Sequence, residues 1–185
     1  MMTELSLNVL DIAQNSVKAE ASLIEISVAA DTCADSLIIE ISDNGFGMNS
    51  EQLENVTDPF FTTRTTRKVG LGIPFFKDAA EITGGSFEIS SAPGQGTYVK
   101  AKFGLSNIDR MPLGDMTETM LTLITFNDNI DFVYKFEIDG KSFILDTREF
   151  REILGGIPLS SSEVRGYIQS FLDENHSEIL NGTVI

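Results

Sequence analysis

The chain has 185 residues, with 28 acids against 13 bases (net −15) and 42% apolar residues, enough for one ordinary core with an extension. The acidity is even, 14 acids and 7 bases in residues 1–106 and 14 and 6 in residues 107–185, which argues against a nucleic-acid or anionic-membrane partner, because phosphate neutralisation needs clustered Lys and Arg. The one cysteine, Cys33, excludes an intrachain disulfide and a Cys-rich zinc cluster, and the lack of a basic leader or of a run of roughly 18 apolar residues predicts a cytoplasmic protein without a membrane span.

The first element is an amphipathic helix around LNVLDIAQNS (7–16). Leu5, Val9, Leu10, Ile12, Ala13 and Val17 flank it, and Asn8, Asp11, Asn15 and Lys18 recur at three- and four-residue spacing on one face. Most polar helix faces meet water, but two amides, an acid and a base also suit a ligand. SLIEISV (22–28) and SLIIEISD (36–43) read as strands separated by the turn DTCAD. DNGFGM follows as a glycine-punctuated turn, and residues 49–69 read as polar and irregular. GLGIPFFKDAAEITGG (70–85) reads as a helix between glycines, and SFEISSA and TYVKAKF as two strands joined by PGQG. This order predicts an α+β fold: a two-layer α/β sandwich with a mixed or antiparallel sheet and helices on one face.

The pattern changes near residue 107, which divides the chain into a domain of residues 1–106 and a small α+β extension of residues 107–185. Residues 115–126 are predicted helical, with Asp115 and Glu118 spaced as a capping box. Phe132, Tyr134, Phe136 and Ile138 alternate before an Asp139-Gly140 turn, a strong hairpin signal. A short helix capped by Thr147 and a last helix opened by Ser160-x-x-Glu163 complete the chain. Met111, Met116 and Met120 form a stripe that suits core more often than interface. The single histidine, His176, lies in the polar run DENHSE and is expected on the surface.

Three signals in the first 106 residues converge. In DNGFGM a strand delivers Asp43 to its end, where an acceptor-only carboxylate suits the exocyclic amine of adenine and repels the carbonyl of guanine. Arg64, Arg67 and Lys68 are three of the seven bases in this region, and they precede Gly70 and Gly72 at a helix start, an anion site in the making. On the first helix, the Asn15 amide oxygen can serve Mg²⁺ without adding charge. Asp11, one turn earlier, can accept a proton from water or a hydroxyl. Together these fit Mg-ATP. Neither the P-loop nor the dinucleotide-binding glycine pattern occurs.

These stretches resemble the boxes of the GHKL (Bergerat-fold) ATPase superfamily of gyrase, MutL-type repair proteins and histidine kinases. LDIAQNSVKAEA resembles the N box, DNGFGM the first glycine box, DPFFTTR the phenylalanine box, VGLGI the second glycine box, and GGSFEISSAPGQGTYV the closing strand pair. The resemblance covers roughly residues 4–104. It implies that Asn15 binds Mg²⁺, that Asp43 binds the adenine amine with support from Thr97, and that Gly45, Gly47, Gly70 and Gly72 shape the pocket. Arg64 and Lys68 become the lid contacts to phosphate. Lys18, Met48 and Leu71 fall within the same boxes and complete the candidate set.

The later boxes look closest to the histidine-kinase branch, while an acid four residues before Asn15 also matches the MutL and gyrase branch. Asp11 is an Asp where the hydrolytic branches carry Glu, and KVGLGI lacks the Gly-Thr pair that often precedes the second glycine box. No dimerisation-and-phosphoacceptor segment precedes the N box in this sequence. The resemblance therefore implies a regulatory protein kinase acting in trans on a protein partner or phosphoacceptor, with a homodimer possible. The alternatives are an ATP-hydrolysing conformational switch and a non-catalytic ATP-sensing module.

Overall fold

A computed structural model describes residues 3–57, 72–183 and 185. Helix α1 (Leu5–Lys18) is followed by β1 (Leu23–Asp31), β2 (Ser36–Asp43), α2 (Ser50–Asn55), α3 (Gly72–Ile82), β3 (Ser86–Ser91) and β4 (Thr97–Gly104). Then come α4 (Met116–Phe126), β5 (Asp131–Ile138), β6 (Lys141–Asp146), α5 (Thr147–Leu154) and α6 (Ser162–Leu180). Helix α2 falls in a stretch predicted irregular. Its six residues are fixed by a reciprocal capping box in which Gln52 N donates to Asn49 Oδ1 and Asn49 N donates to Gln52 Oε1.

The strands form one sheet in the order β3-β4-β2-β1-β5-β6. Only β1 and β5 run parallel; every other neighbouring pair is antiparallel. Alternation decides which face is covered. Register aligns Phe87, Ala101, Ile39, Val28, Phe136 and Phe143 in one row across all six strands, and α1, α3, α4 and α6 pack over that side. The opposite face carries polar residues such as Glu40, Lys100 and Lys135. This is the two-layer sandwich with a mixed sheet that the element order predicts.

Residues 107–185 enter the same sheet and the same core. β5 lies along the whole of β1, from the Leu23–Asp131 pair to the Ala30–Ile138 pair. Helix α4 packs on α1, and the start of α1 is tied to the segment before α4, with Leu5 N donating to Pro112 O at 3.0 Å and Ser6 N to Leu113 O at 2.8 Å. Met116 and Met120 are buried in the core, and Met111 packs against it. The hairpin turn has positive φ at Asp139 (50°) and Gly140 (80°), the backbone that an Asp-Gly pair tolerates.

Three details differ from the sequence expectation. The caps sit one residue away: Asp146, not Thr147, caps α5, and Ser161, not Ser160, caps α6. Thr147 instead turns inward and its hydroxyl accepts from Phe132 N at 2.8 Å. His176 is half-buried rather than freely exposed. Its ring stacks edge-on against Phe136 and Phe143 and bonds to Thr117 and Tyr134, and burial pushes its pKa down to about 4 against the opposing pull of Asp173 and Asp115.

Candidate functional site

One row of the covered face breaks the apolar pattern. Where β2, β3 and β4 meet the end of the sheet, register aligns Ser91, Thr97 and Asp43. Side chains alternate strictly, so Asp43 points to the same side as Ile41 and Ile39, toward the helices. Its carboxylate is held on both oxygens. Gly45 N donates to Oδ1 at 2.9 Å and Thr97 N at 3.3 Å, while Ser16 Oγ of α1 donates to Oδ2 at 2.5 Å. The carboxylate is thereby fixed in orientation, and the open lone pair on Oδ2 remains an acceptor.

The glycine turn closes around this group. Phe46 N donates to Ala19 O at the end of α1, and Gly94 N to Phe46 O. Met48 N donates to Ser91 Oγ at 2.8 Å, and Ser91 lies 3.0 Å from the Thr97 hydroxyl. Gly47 adopts φ +68° with Ala92 O only 2.0 Å from where a Cβ would stand, so both conformation and space demand glycine there. Gly45 is buried in the same turn. A cleft of about 330 Å³ opens at this strand end, lined by Asp43, Ser91, Gly96 and Thr97 and by Ser42, Ser90 and Tyr98 from the adjacent row of the opposite face; Asp11 and Asn15 do not line it.

Asp11 and Asn15 are half-buried on α1, and Lys18 is exposed at its last turn. Asp11 meets the first residue of α3, since a Cβ on Gly72 would lie 2.1 Å from Asp11 Oδ2. The acid of the N box and the last glycine of the second glycine box thus share one contact. Asn8 departs from the expected polar face. It is fully buried, its amide donates weakly to Glu4 O at 3.4 Å, and its Oδ1 has no partner among the described residues. Arg64, Lys68, Gly70 and Leu71, with the whole phenylalanine box, lie outside the described residues.

The Asn15 amide oxygen is a hard, uncharged donor of the kind Mg²⁺ accepts. Among the described residues no group of three or more His, Cys, Asp or Glu converges on one point. A cation beside Asn15 would take most of its ligands from phosphate oxygens and water, the coordination Mg²⁺ prefers.

Two residues of the site were missed in the sequence. Ser16 holds Asp43, and Ser91 ties the glycine turn to the closing strands. Ser16 gave a signal. It continues the apolar stripe of Leu5, Val9, Ile12 and Ala13, so a buried hydroxyl there needs a polar partner.

The model of the histidine kinase-, DNA gyrase B-, and HSP90-like ATPases matches residues 2–107. The chain belongs to this family. Curated relatives include the sensor histidine kinase YxdK of Bacillus subtilis, 30% identical over 50% of this chain and 30% of the relative. The sensor protein kinase FleS of Pseudomonas aeruginosa is 38% identical over 48% of this chain and 22% of the relative. The chain thus spans less than a third of the length of these relatives. Among solved structures, the ATPase domain of Aquifex aeolicus MutL, complexed with ADP, superposes with a TM-score of 0.51 at 15% identity over 84% of this chain and 70% of that one. The N-terminal domain of a DNA repair protein superposes at 0.55 with 19% identity over 78% of this chain and 53% of that one. At these identities the likeness is one of fold. Among the described residues no helix is long and apolar enough to cross a membrane.

Proposed function

We propose that this family member is a cytoplasmic, Mg-ATP-binding regulatory protein that acts as a protein kinase in trans on a partner protein. The observation that carries the nucleotide part is the Asp43 carboxylate, oriented by Ser16, Gly45 and Thr97 beside a glycine turn. Its open lone pair accepts from the exocyclic amine of adenine. Asn15 offers an amide oxygen to Mg²⁺, which when bound would neutralise phosphate charge, and the Arg64–Lys68 segment supplies cations for the phosphates. In this reading Asp11 takes a proton from the incoming hydroxyl. The kinase reading is supported by sensor histidine kinases among the relatives and by the histidine-kinase character of the later boxes.

A second reading has its own observation. Asp11 abuts Gly72 at the start of α3, and the superposed folds include a MutL ATPase domain complexed with ADP; on this reading Asp11 activates water in an ATP-driven switch. γ-labelled ATP incubated with the protein and a partner-containing extract separates the readings. Label on a partner protein supports the kinase, and free phosphate lost in Asp11→Asn supports the switch. Nucleotide bound with neither product leaves a sensing module, and no nucleotide binding overturns the whole reading.

A further inference from the structure

Where α4, β5 and α6 meet, a cleft of about 390 Å³ is lined by Leu113, Met116, Thr117, Phe136, His176 and Leu180 among others. That volume falls in the range of small-molecule sites, and the walls are mostly apolar, as such sites are. The site is separate from Asp43, Asn15 and Asp11, none of which lines it.

Its polar groups form a directed chain. Tyr134 is 0% exposed, and its hydroxyl has one partner among the described residues, His176 Nε2 at 2.9 Å. A buried hydroxyl that cannot donate costs about 1–3 kcal/mol, so Tyr134 donates and Nε2 accepts. The imidazole is neutral at physiological pH, because burial disfavours its charged form. A neutral ring that accepts at Nε2 carries its proton on Nδ1, and that N–H points at Thr117 Oγ1, 3.1 Å away. Thr117 therefore accepts from the ring. Its own O–H is left as a donor with no acceptor among the described residues, at a side chain 9% exposed in the cleft wall. The chain of donors ends in the cleft. Asp115 also lines it, with one oxygen accepting from Glu118 N, and its negative charge works against an anionic ligand.

We propose that this cleft binds a small uncharged molecule with an apolar body and a carbonyl oxygen that accepts from Thr117. The test uses the full chain, isotope-labelled for amide spectra, and three probes of one shape: acetophenone, toluene and benzoate. Acetophenone produces saturable shifts at Thr117, His176 and Leu180 and binds at least fivefold tighter than toluene. Benzoate binds at least tenfold weaker than acetophenone. Thr117→Val lowers acetophenone affinity about fivefold without changing that of toluene, and Thr117→Ser restores it. The proposal is overturned if acetophenone gives no saturable shifts at these residues. Equal affinities of acetophenone and toluene for the unaltered protein also overturn it, whatever the variants do.

Discussion

Ser16 Oγ donates to Asp43 Oδ2 at 2.5 Å, joining the buried stripe of α1 to the end of β2. The other oxygen of Asp43 takes two backbone N–H groups, and this fixes what an amide would do at the same position. In Asp43→Asn the amide oxygen must replace Oδ1 to satisfy those donors. The NH₂ then replaces Oδ2; the Ser16 hydroxyl can turn to accept from it, but the proposed adenine amine would meet it donor against donor. Asp43→Asn is expected to lower ATP affinity by about two orders of magnitude or more. Ser16→Ala removes one charge-assisted hydrogen bond, worth roughly 1.5–3 kcal/mol at most, and lowers it by about tenfold. Titration calorimetry with Mg-ATP reads both; unchanged affinity in Asp43→Asn would remove adenine from this site.

The contact between Asp11 and Gly72 can be tested without any ligand. A methyl group at 72 would collide with the Asp11 carboxylate at 2.1 Å, and overpacking of this kind costs about 1–3 kcal/mol. Gly72→Ala is therefore expected to destabilise the chain in urea unfolding, although Ala ordinarily favours a helix over Gly. Combined with Asp11→Ala, the loss should shrink, because the colliding group is gone. Strict additivity of the two substitutions would show that they do not touch.

Asp11→Asn keeps the shape of the side chain and removes its basicity. Nucleotide binding should persist within about threefold while turnover or phosphoryl transfer falls by at least ~100-fold, the scale of a lost general base. Filter binding and γ-label release measure the two separately. Undiminished turnover would exclude Asp11 from the chemistry.

Much of the fold was legible because it is written locally. The alternation of β1, β2 and β5, the Asp139-Gly140 turn and the glycine boxes each occupy a few consecutive residues. What escaped depends on distant partners. Helix α2 rests on a single Asn49–Gln52 exchange within a polar run. The placement of β5 along β1 depends on pairing between strands about a hundred residues apart, which no local pattern states. His176 was misread from its polar neighbours, yet Val164, Ile168 and Leu172 precede it at four-residue steps and are buried. That stripe runs through His176 to Leu180, and followed as a period it places the imidazole on the covered side of α6.

His176 makes acid stability specific to one side chain. Its folded pKa of about 4 lies below the 6.5 of the free group, so the unfolded chain binds the proton more tightly. The stability contributed by the neutral ring is complete above pH 6.5 and is lost as pH falls toward 4. At 1.36 kcal/mol per unit this is on the order of 3 kcal/mol. Carboxylates such as Glu40 and Asp146, whose pKa values are lowered by Tyr98 and Arg148 respectively, lose their contribution at lower pH still. The difference in unfolding free energy between the unaltered chain and His176→Gln should therefore narrow between pH 7 and 4.5. A constant difference across that range would mean that the ring is not held neutral by burial.

The integration of residues 107–185 has a consequence for the boundary at 106. Without β5, the edge of β1 is bare and Ile24, Ile26 and Val28 lose Phe132, Tyr134 and Phe136 beside them. Without α4, one flank of α1 opens to water, and Leu5 N and Ser6 N lose the carbonyls of Pro112 and Leu113. α1 is the helix that carries Asp11, Asn15 and Ser16. Large-to-small replacement of even one such aromatic, Phe136→Ala, costs about 3–5 kcal/mol, a large share of the 5–15 kcal/mol that holds a typical domain. A fragment of residues 1–106 removes all of these contacts at once. It is expected to show neither a cooperative urea transition nor dispersed amide resonances, and to bind ATP at least ~100-fold more weakly than the full chain. A cooperative fragment with full nucleotide affinity would instead make residues 107–185 an accessory to a self-sufficient domain.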